Sequence, residues 1–380
     1  MKSQGNVRFG LSRREILASV GAASVLSFSN AGFAANPTAP KADYVFSEGS
    51  AAQLAAVKRV IITDFVCAFQ LDGSVRNDNA TRVGNLTLRG GNANEVAASM
   101  VWRDPDVAVM QEIANAGLAA LKADFEARGI EVLDESVLAS QPAYASIIAA
   151  ARLNDLGDYT ILNITEDSAK GDIVNNVSNG MAKIVSAKGL IPYNHSVFEG
   201  GKCCYAYSNS FPSSKLYYVP GFEIDLAKAL DAVVVKAWQF VNFTQVAAGV
   251  NQEGWAGGVG GAVVTFDATA KSVVRIREEK TRLSFRLPTS TNRTRNTPAL
   301  VPPKDGDVVV SLGRPMLIGA DYYSIENVGA TGRQAVAASL GGVQHFNFGA
   351  TLKSPDVYKV DVAQRMSAVL DGLVAAALGR

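Results

Sequence analysis

Val57-Lys-Arg-Val-Ile-Ile-Thr-Asp-Phe-Val-Cys-Ala-Phe-Gln70 is the stretch on which the fold turns. Alternation puts Ile61, Thr63, Phe65, Cys67 and Phe69 on one face and Val60, Ile62, Asp64, Val66 and Ala68 on the other. Both faces are mostly apolar, which predicts a strand at the centre of a sheet and covered on both sides. Outward from it, residues 71–80 are rich in Asp, Gly and Asn and read as a loop. Thr81 to Leu88 reads as a strand pairing back as a hairpin, ended by Gly90 and Gly91. Asp104 is a good helix cap and Pro105 suits a first turn. Val107, Met110, Ala114, Gly117, Leu118, Leu121 and Phe125 then recur at helical spacing. Arg128-Gly129 is a stop of the expected kind, and the strand Ile130 to Leu133 follows at once. A second helix runs from Pro142 to Arg152. Residues 57–152 therefore read as one α/β lobe.

The remainder is less regular. Residues 153–221 read as an irregular insert that holds a strand at Met181 to Ala187 and a Ser/Tyr-rich run. Residues 222–380 read as a strand-rich α/β region ending in a helix. It opens with a helix at Phe222 to Leu230 and a long strand at Ala232 to Val246. A glycine-rich loop around Trp255 follows, then strands at Gly261 to Asp267, Ser272 to Leu287 and Asp307 to Ile318. In Ser272 to Leu287, Val274, Ile276, Leu283, Phe285 and Leu287 alternate with Arg275, Arg277, Arg282 and Arg286, which predicts an antiparallel sheet with a solvated arginine face. The final helix, Asp356 to Leu378, carries Tyr358, Val362, Met366, Val369, Leu370 and Leu373 on one stripe. The expected class is α/β (α+β): a mixed sheet with flanking helices, plus a mainly antiparallel strand-rich second half.

The first 34 residues read as an export signal. Ser12-Arg13-Arg14-Glu15-Ile16-Leu17 precedes a weakly apolar stretch that ends at Ala31-Gly32-Phe33-Ala34, with cleavage expected between Ala34 and Ala35. Ser12, Arg13, Arg14, Ile16 and Leu17 resemble the twin-arginine signal of bacteria. The rival is a general secretory signal that carries two arginines. Gly21, Ser24, Ser27 and Ser29 make the apolar core less greasy than that rival usually has. Residues 35–56, rich in Ala, Pro and Ser, read as a mobile leader. The expected location is the periplasm, and no later stretch is apolar enough for a spanning helix.

Composition narrows the function. The chain carries a formal charge of +1. Most of its excess cation lies in the signal, so the mature protein lacks the basic footprint of a nucleic-acid binder. His195 and His345 are the two histidines and Cys67, Cys203 and Cys204 the three cysteines. That excludes a three-histidine metal site, and no Cys-x-x-Cys occurs. No metal and no cofactor are expected. Cys67 reads as a small core residue, although pairing with one of the other two would be allowed in an oxidising envelope. Cys203 and Cys204 are the candidate thiol site. Gly254 to Gly261 lacks the Lys-Ser/Thr ending of a phosphate loop. Ser339-Leu340-Gly341-Gly342 lacks the glycine two places before a nucleophilic serine. Asp104 and Asp106 suit helix capping. Catalytic residues are not identified. An enzyme would need a titratable cluster such as His195 with Asp158 or Glu166 beside Cys203 and Cys204.

Val57 to Val66 with its Gly/Asn-rich loop, and the passage of the long helix through Arg128-Gly129-Ile-Glu-Val-Leu133 into a strand, resemble the TolB amino-terminal and curli-secretion-channel group of envelope proteins. The resemblance covers about residues 57–151. It implies an envelope location and work by protein-protein contact and assembly. The chain departs from the channel proteins in lacking a lipid-attachment cysteine, and the charge on one face of its long strands argues against a lipid-facing hairpin. The expected function is binding or assembly at the cell envelope with an envelope protein partner. A periplasmic enzyme and a small-ligand receptor are the alternatives.

Overall fold

Two long apolar strands, β2 (Arg59–Gln70) and β10 (Val233–Asn242), lie side by side and parallel at the centre of a ten-stranded mixed sheet. The structure is a computed structural model that describes residues 43–78, 81–83, 86–88, 95–151, 160–162, 180–193, 219–253, 263–278, 281–290, 308–333 and 343–379. Outward from β10 run β14 (Arg282–Arg286), β15 (Val308–Leu312) and the edge strand β1 (Tyr44–Glu48), each antiparallel to its inner neighbour. Outward from β2 run β9 (Gly180–Ser186) and β8 (Thr160–Leu162). Three short strands complete the sheet. β7 (Glu131–Leu133) lies parallel to the start of β2, β13 (Val273–Ile276) pairs with the end of β10, and β16 (Met316–Ala320) pairs with β13. Nearly every side chain of β2 and β10 is buried, as their unbroken apolar runs require.

Helices cover both faces. On the face of Phe65, Ala237 and Gln239 lie α2 (Val107–Ala127) and α5 (Pro355–Leu378), packed on one another. Gly117 lets α2 approach: a Cβ there would stand 2.7 Å from Phe65 Cζ. Gln239 donates to the Met366 carbonyl of α5 at 3.2 Å. On the face of Lys236 and Trp238 lies α4 (Val219–Leu230), packed on α3 (Pro142–Ala151) and on β10 and β14. A one-turn helix, α1 (Ala51–Leu54), packs on α5 and β15.

A second layer grows from the ends of the two central strands. β2 passes through Leu71 into β3 (Asp72–Asp78), and β10 passes through Phe243-Thr244 into β11 (Gln245–Glu253). β3 is the edge of a four-stranded sheet ordered β17 (Tyr323–Arg333), β18 (Val343–Leu352), β6 (Glu95–Trp102), β3. In it β18 and β6 are parallel and the other pairs antiparallel. β11 pairs with β12 (Val263–Lys271), and this ribbon packs across β3 and β6. β4 (Thr81–Val83) and β5 (Leu86–Leu88) form a small hairpin. At the root of this layer Trp102, Phe243, Tyr323 and Tyr358 cluster with ring centroids 5.2–5.9 Å apart, edge to face except for the tilted Trp102–Phe243 pair.

The α/β class and the mixed sheet match the expectation; several local readings do not. Tyr44–Glu48 and Ala51–Leu54 are ordered, although 35–56 read as a leader, because Leu54 is buried and Tyr44 packs on α5. Thr81 to Leu88 is not the strand that pairs back on β2's continuation; β6 is. Asp106, not Asp104, caps α2: its Oδ1 accepts from the Ala108 and Val109 amides at 3.0 and 3.1 Å, while Asp104 turns the chain at φ +50°. Val107 lies on the first turn and is exposed, whereas Met110, Ala114, Leu118, Leu121 and Phe125 are buried as expected. Ser272 to Leu287 breaks into β13 and β14. Arg277 and Arg286 there are buried, and over Arg286 on β14 it is α4 that covers the face expected to be wet.

Candidate functional site

Charged residues stand where β2, β10 and β14 pass beneath α4. Asp64 pairs in register with Lys236, and Lys236 with Ser284, so one row of the sheet carries polar side chains under the helix. Glu223 projects from α4 onto that row. Its carboxylate accepts from Lys236 Nζ at 3.0 Å, from Arg286 Nε at 3.2 Å and from the Tyr193 hydroxyl at 3.0 Å. Arg286 Nη2 adds an ion pair at 3.2 Å. Tyr193 gives its one proton to Glu223, so Thr63 donates to the phenol oxygen across 2.6 Å. Trp238 Nε1 donates to Asp64 Oδ2 at 3.2 Å. Asp64, Glu223, Lys236 and Arg286 are each 5 % exposed or less.

Burial alone would push Glu223 up; the Lys236 ammonium and the Arg286 guanidinium outweigh it and hold the carboxyl below its ordinary range. Burial, reinforced by Glu223 and Asp64, pushes the Tyr193 phenol well up, so it stays neutral. Donors occupy both carboxylate oxygens of Glu223. The arrangement therefore pins α4 to the sheet and leaves that carboxylate little capacity to take a proton from a substrate. Neither Glu223 nor Lys236 figured in the sequence reading as a site. The available signal was a lone Asp64 and a lone Lys236 in the middle of apolar runs, where a charge persists only with a partner.

A groove of about 790 Å³ opens elsewhere, between α2, the 3-10 turn Glu135–Ser140 and the segment 188–191. Leu118, Leu138 and Tyr144 line it, and Lys122 crosses it to Glu135 at 2.6 Å. Asn115 holds one wall by accepting from the Lys188 amide at 2.8 Å.

Cys67 is a buried free thiol, and burial pushes it far up, so it is inert. His345 lies on β18 with its side chain exposed. Asp106 is a cap. Ser12, Arg13, Arg14, Ile16, Leu17, Ala34, Ala35, Asp158, Glu166, His195, Cys203 and Cys204 lie outside the described residues. Among the described residues no three His, Cys, Asp or Glu side chains are placed to hold a metal ion, and no helix is long and apolar enough to cross a membrane. Set against family models, curated proteins and solved structures, the chain matches none of them, so its site is read from its own residues.

Proposed function

We propose that the protein is exported to the bacterial periplasm and works there by binding or assembly at the cell envelope, with an envelope protein as partner. The export half of the reading rests on Ser12-Arg13-Arg14-Glu15-Ile16-Leu17 and the small residues ending at Ala34. The binding half rests on one observation. The strongest cluster of titratable groups, around Glu223, is sealed and mutually satisfied, whereas an enzyme's cluster faces a cleft. Among the described residues, Val45 and Phe46 on the edge strand β1 are exposed, a kind of surface that suits protein contact. The resemblance of residues 57–151 to the TolB amino-terminal and curli-secretion-channel group points the same way.

Replacing Arg13 and Arg14 together with lysine tests export: the precursor should stay uncleaved in the cytoplasm, and normal mature protein in the periplasm would reject the twin-arginine route. Crosslinking in intact envelope, followed by capture of the tagged chain and mass spectrometry, tests binding. A specific envelope protein should be recovered in stoichiometric yield, and recovery of the chain alone rejects the assembly reading. The groove beside Leu118 and Tyr144 favours the small-ligand reading as the second. Native mass spectrometry of protein purified from periplasm separates the two, because a receptor retains a small molecule of discrete mass.

A further inference from the structure

The edge strand β1 is attached in an unusual way. Of its five side chains only Tyr44 is half-buried; Val45 and Phe46 are each 39 % exposed, and Ser47 and Glu48 are exposed too. Its pairing with β15 is antiparallel and carries a register shift between Phe46 and Glu48. Two contacts at its start hold it. The Gly313 amide donates to the Asp43 carbonyl at 2.7 Å, and Arg314 pairs with the Asp43 carboxylate. The Tyr44 ring sits in a notch on α5 made by Gly372: a Cβ at that position would fall 2.1 Å from the ring. Asp43, Asp371 and Arg365 are near enough to act electrostatically on the Tyr44 hydroxyl. At its other end the strand leaves through Gly49, which holds φ +67° and against which Val308 leaves no room for a Cβ. Among the described residues β1 pairs with β15 alone.

We propose that residues 43–48 form a releasable strap. Its seat, the β15 edge with the Gly372 notch, takes the same strand from a second copy of this chain. The seat selects by chemistry. Arg314 favours an acidic residue, the glycine notch takes a flat aromatic ring one place on, and the β15 edge takes an extended backbone. Asp43-Tyr44-Val45-Phe46 meets all three, so a second copy carries a ready-made ligand. The cis strand competes at high effective concentration. Its hold is concentrated at its start, in the Asp43 contacts and the Tyr44 ring, because the rest of the strand buries little surface, and such segments open locally. Gly49 is the swivel about which the strand leaves without disturbing α1, whose Leu54 remains in the core.

The test uses the full chain and a fluorescein-labelled peptide of residues 43–50, read by anisotropy. Tyr44→Ala empties the notch in the chain, and that variant should bind the peptide at least tenfold more tightly than the wild type. Adding Gly372→Ala fills the notch, and the double variant should lose the gain. A peptide carrying Tyr44→Ala should not bind any of the three chains. Circular dichroism melts check that each variant is folded. Hydrogen exchange on the wild type gives an independent reading: the amides of 45–48 should exchange at least a hundredfold faster than those of β14. Equal protection of β1 and β14 overturns the strap. Equal peptide binding by the single and double variants, or no binding by either, overturns the seat.

Discussion

Beneath α2 and α5 the main sheet meets its helices through Phe65, Phe285, Leu121, Phe125 and Met366, all buried and apolar. Beneath α4 it meets its helix through Glu223, Lys236, Arg286 and Tyr193. Apolar contact is non-directional and scales with area, so α2 and α5 could shift slightly at modest cost. The charged contact is directional. Moving α4 by one residue would separate Glu223 from both cations and leave charge buried without a partner. The first face supplies most of the stability; the second fixes position.

The largest expected effect lies on the charged face. Glu223→Gln leaves Lys236 and Arg286 buried beside a neutral group and should cost about 3–5 kcal/mol, the usual loss on breaking a buried pair. Urea denaturation measures it, and a loss near zero would show that α4 is held by its apolar contacts instead. The sign with pH follows from the lowered carboxyl. Its contribution is present above the ordinary carboxylate range and is lost as the pH falls through the depressed value.

On the apolar face, Leu121→Ala and Phe125→Ala should each cost about 2–5 kcal/mol in the same measurement. If they cost less than Glu223→Gln by a wide margin, the positioning contact is also the main energetic one and the contrast fails. Gly117→Ala probes how closely that face is packed. The added methyl meets the Phe65 ring and should cost about 1–3 kcal/mol, with no change in the denaturant slope.

The smallest effect belongs to Asp124, at the rim of the apolar face. Burial, with Asp371 nearby, raises its carboxyl to about 6 against the pull of Arg128. A raised carboxyl favours folding at acid pH, and this contribution is lost as the pH rises through about 6. Asp124→Asn should therefore melt at a higher temperature than the wild type at pH 7.5, and the difference should shrink as the pH falls below about 6. A pH-independent difference would mean that Asp124 titrates like an ordinary carboxylate.

The apolar face was legible in the sequence because helical and strand periods report burial directly. Met110, Leu118 and Phe125, and Tyr358, Val362 and Met366, lie in the core where their spacing put them. The charged face was not. Arg286 alternates with Phe285 and so has the pattern of a solvated residue. Its burial depends on Glu223, more than sixty residues away in sequence. The second layer was missed for a related reason. β6, β17 and β18 are rich in Ala, Ser, Gly and Asn, and they are strands because β3 and the β11–β12 ribbon offer them partners. β1 went unseen because its one anchoring residue acts through a glycine on α5.

The pairing of β2 with β10 has a consequence in time. Trp238 meets Asp64 across 174 residues of chain. At the usual synthesis rate, on the order of 10 to 35 seconds separate the emergence of the first central strand from that of its neighbour. For that interval β2 lacks the partner that covers most of its length, and only β7 and β9, which emerge earlier, can pair with its two ends. A chain of this topology closes its core late, and its first strand stays exposed to wrong partners until β10 arrives.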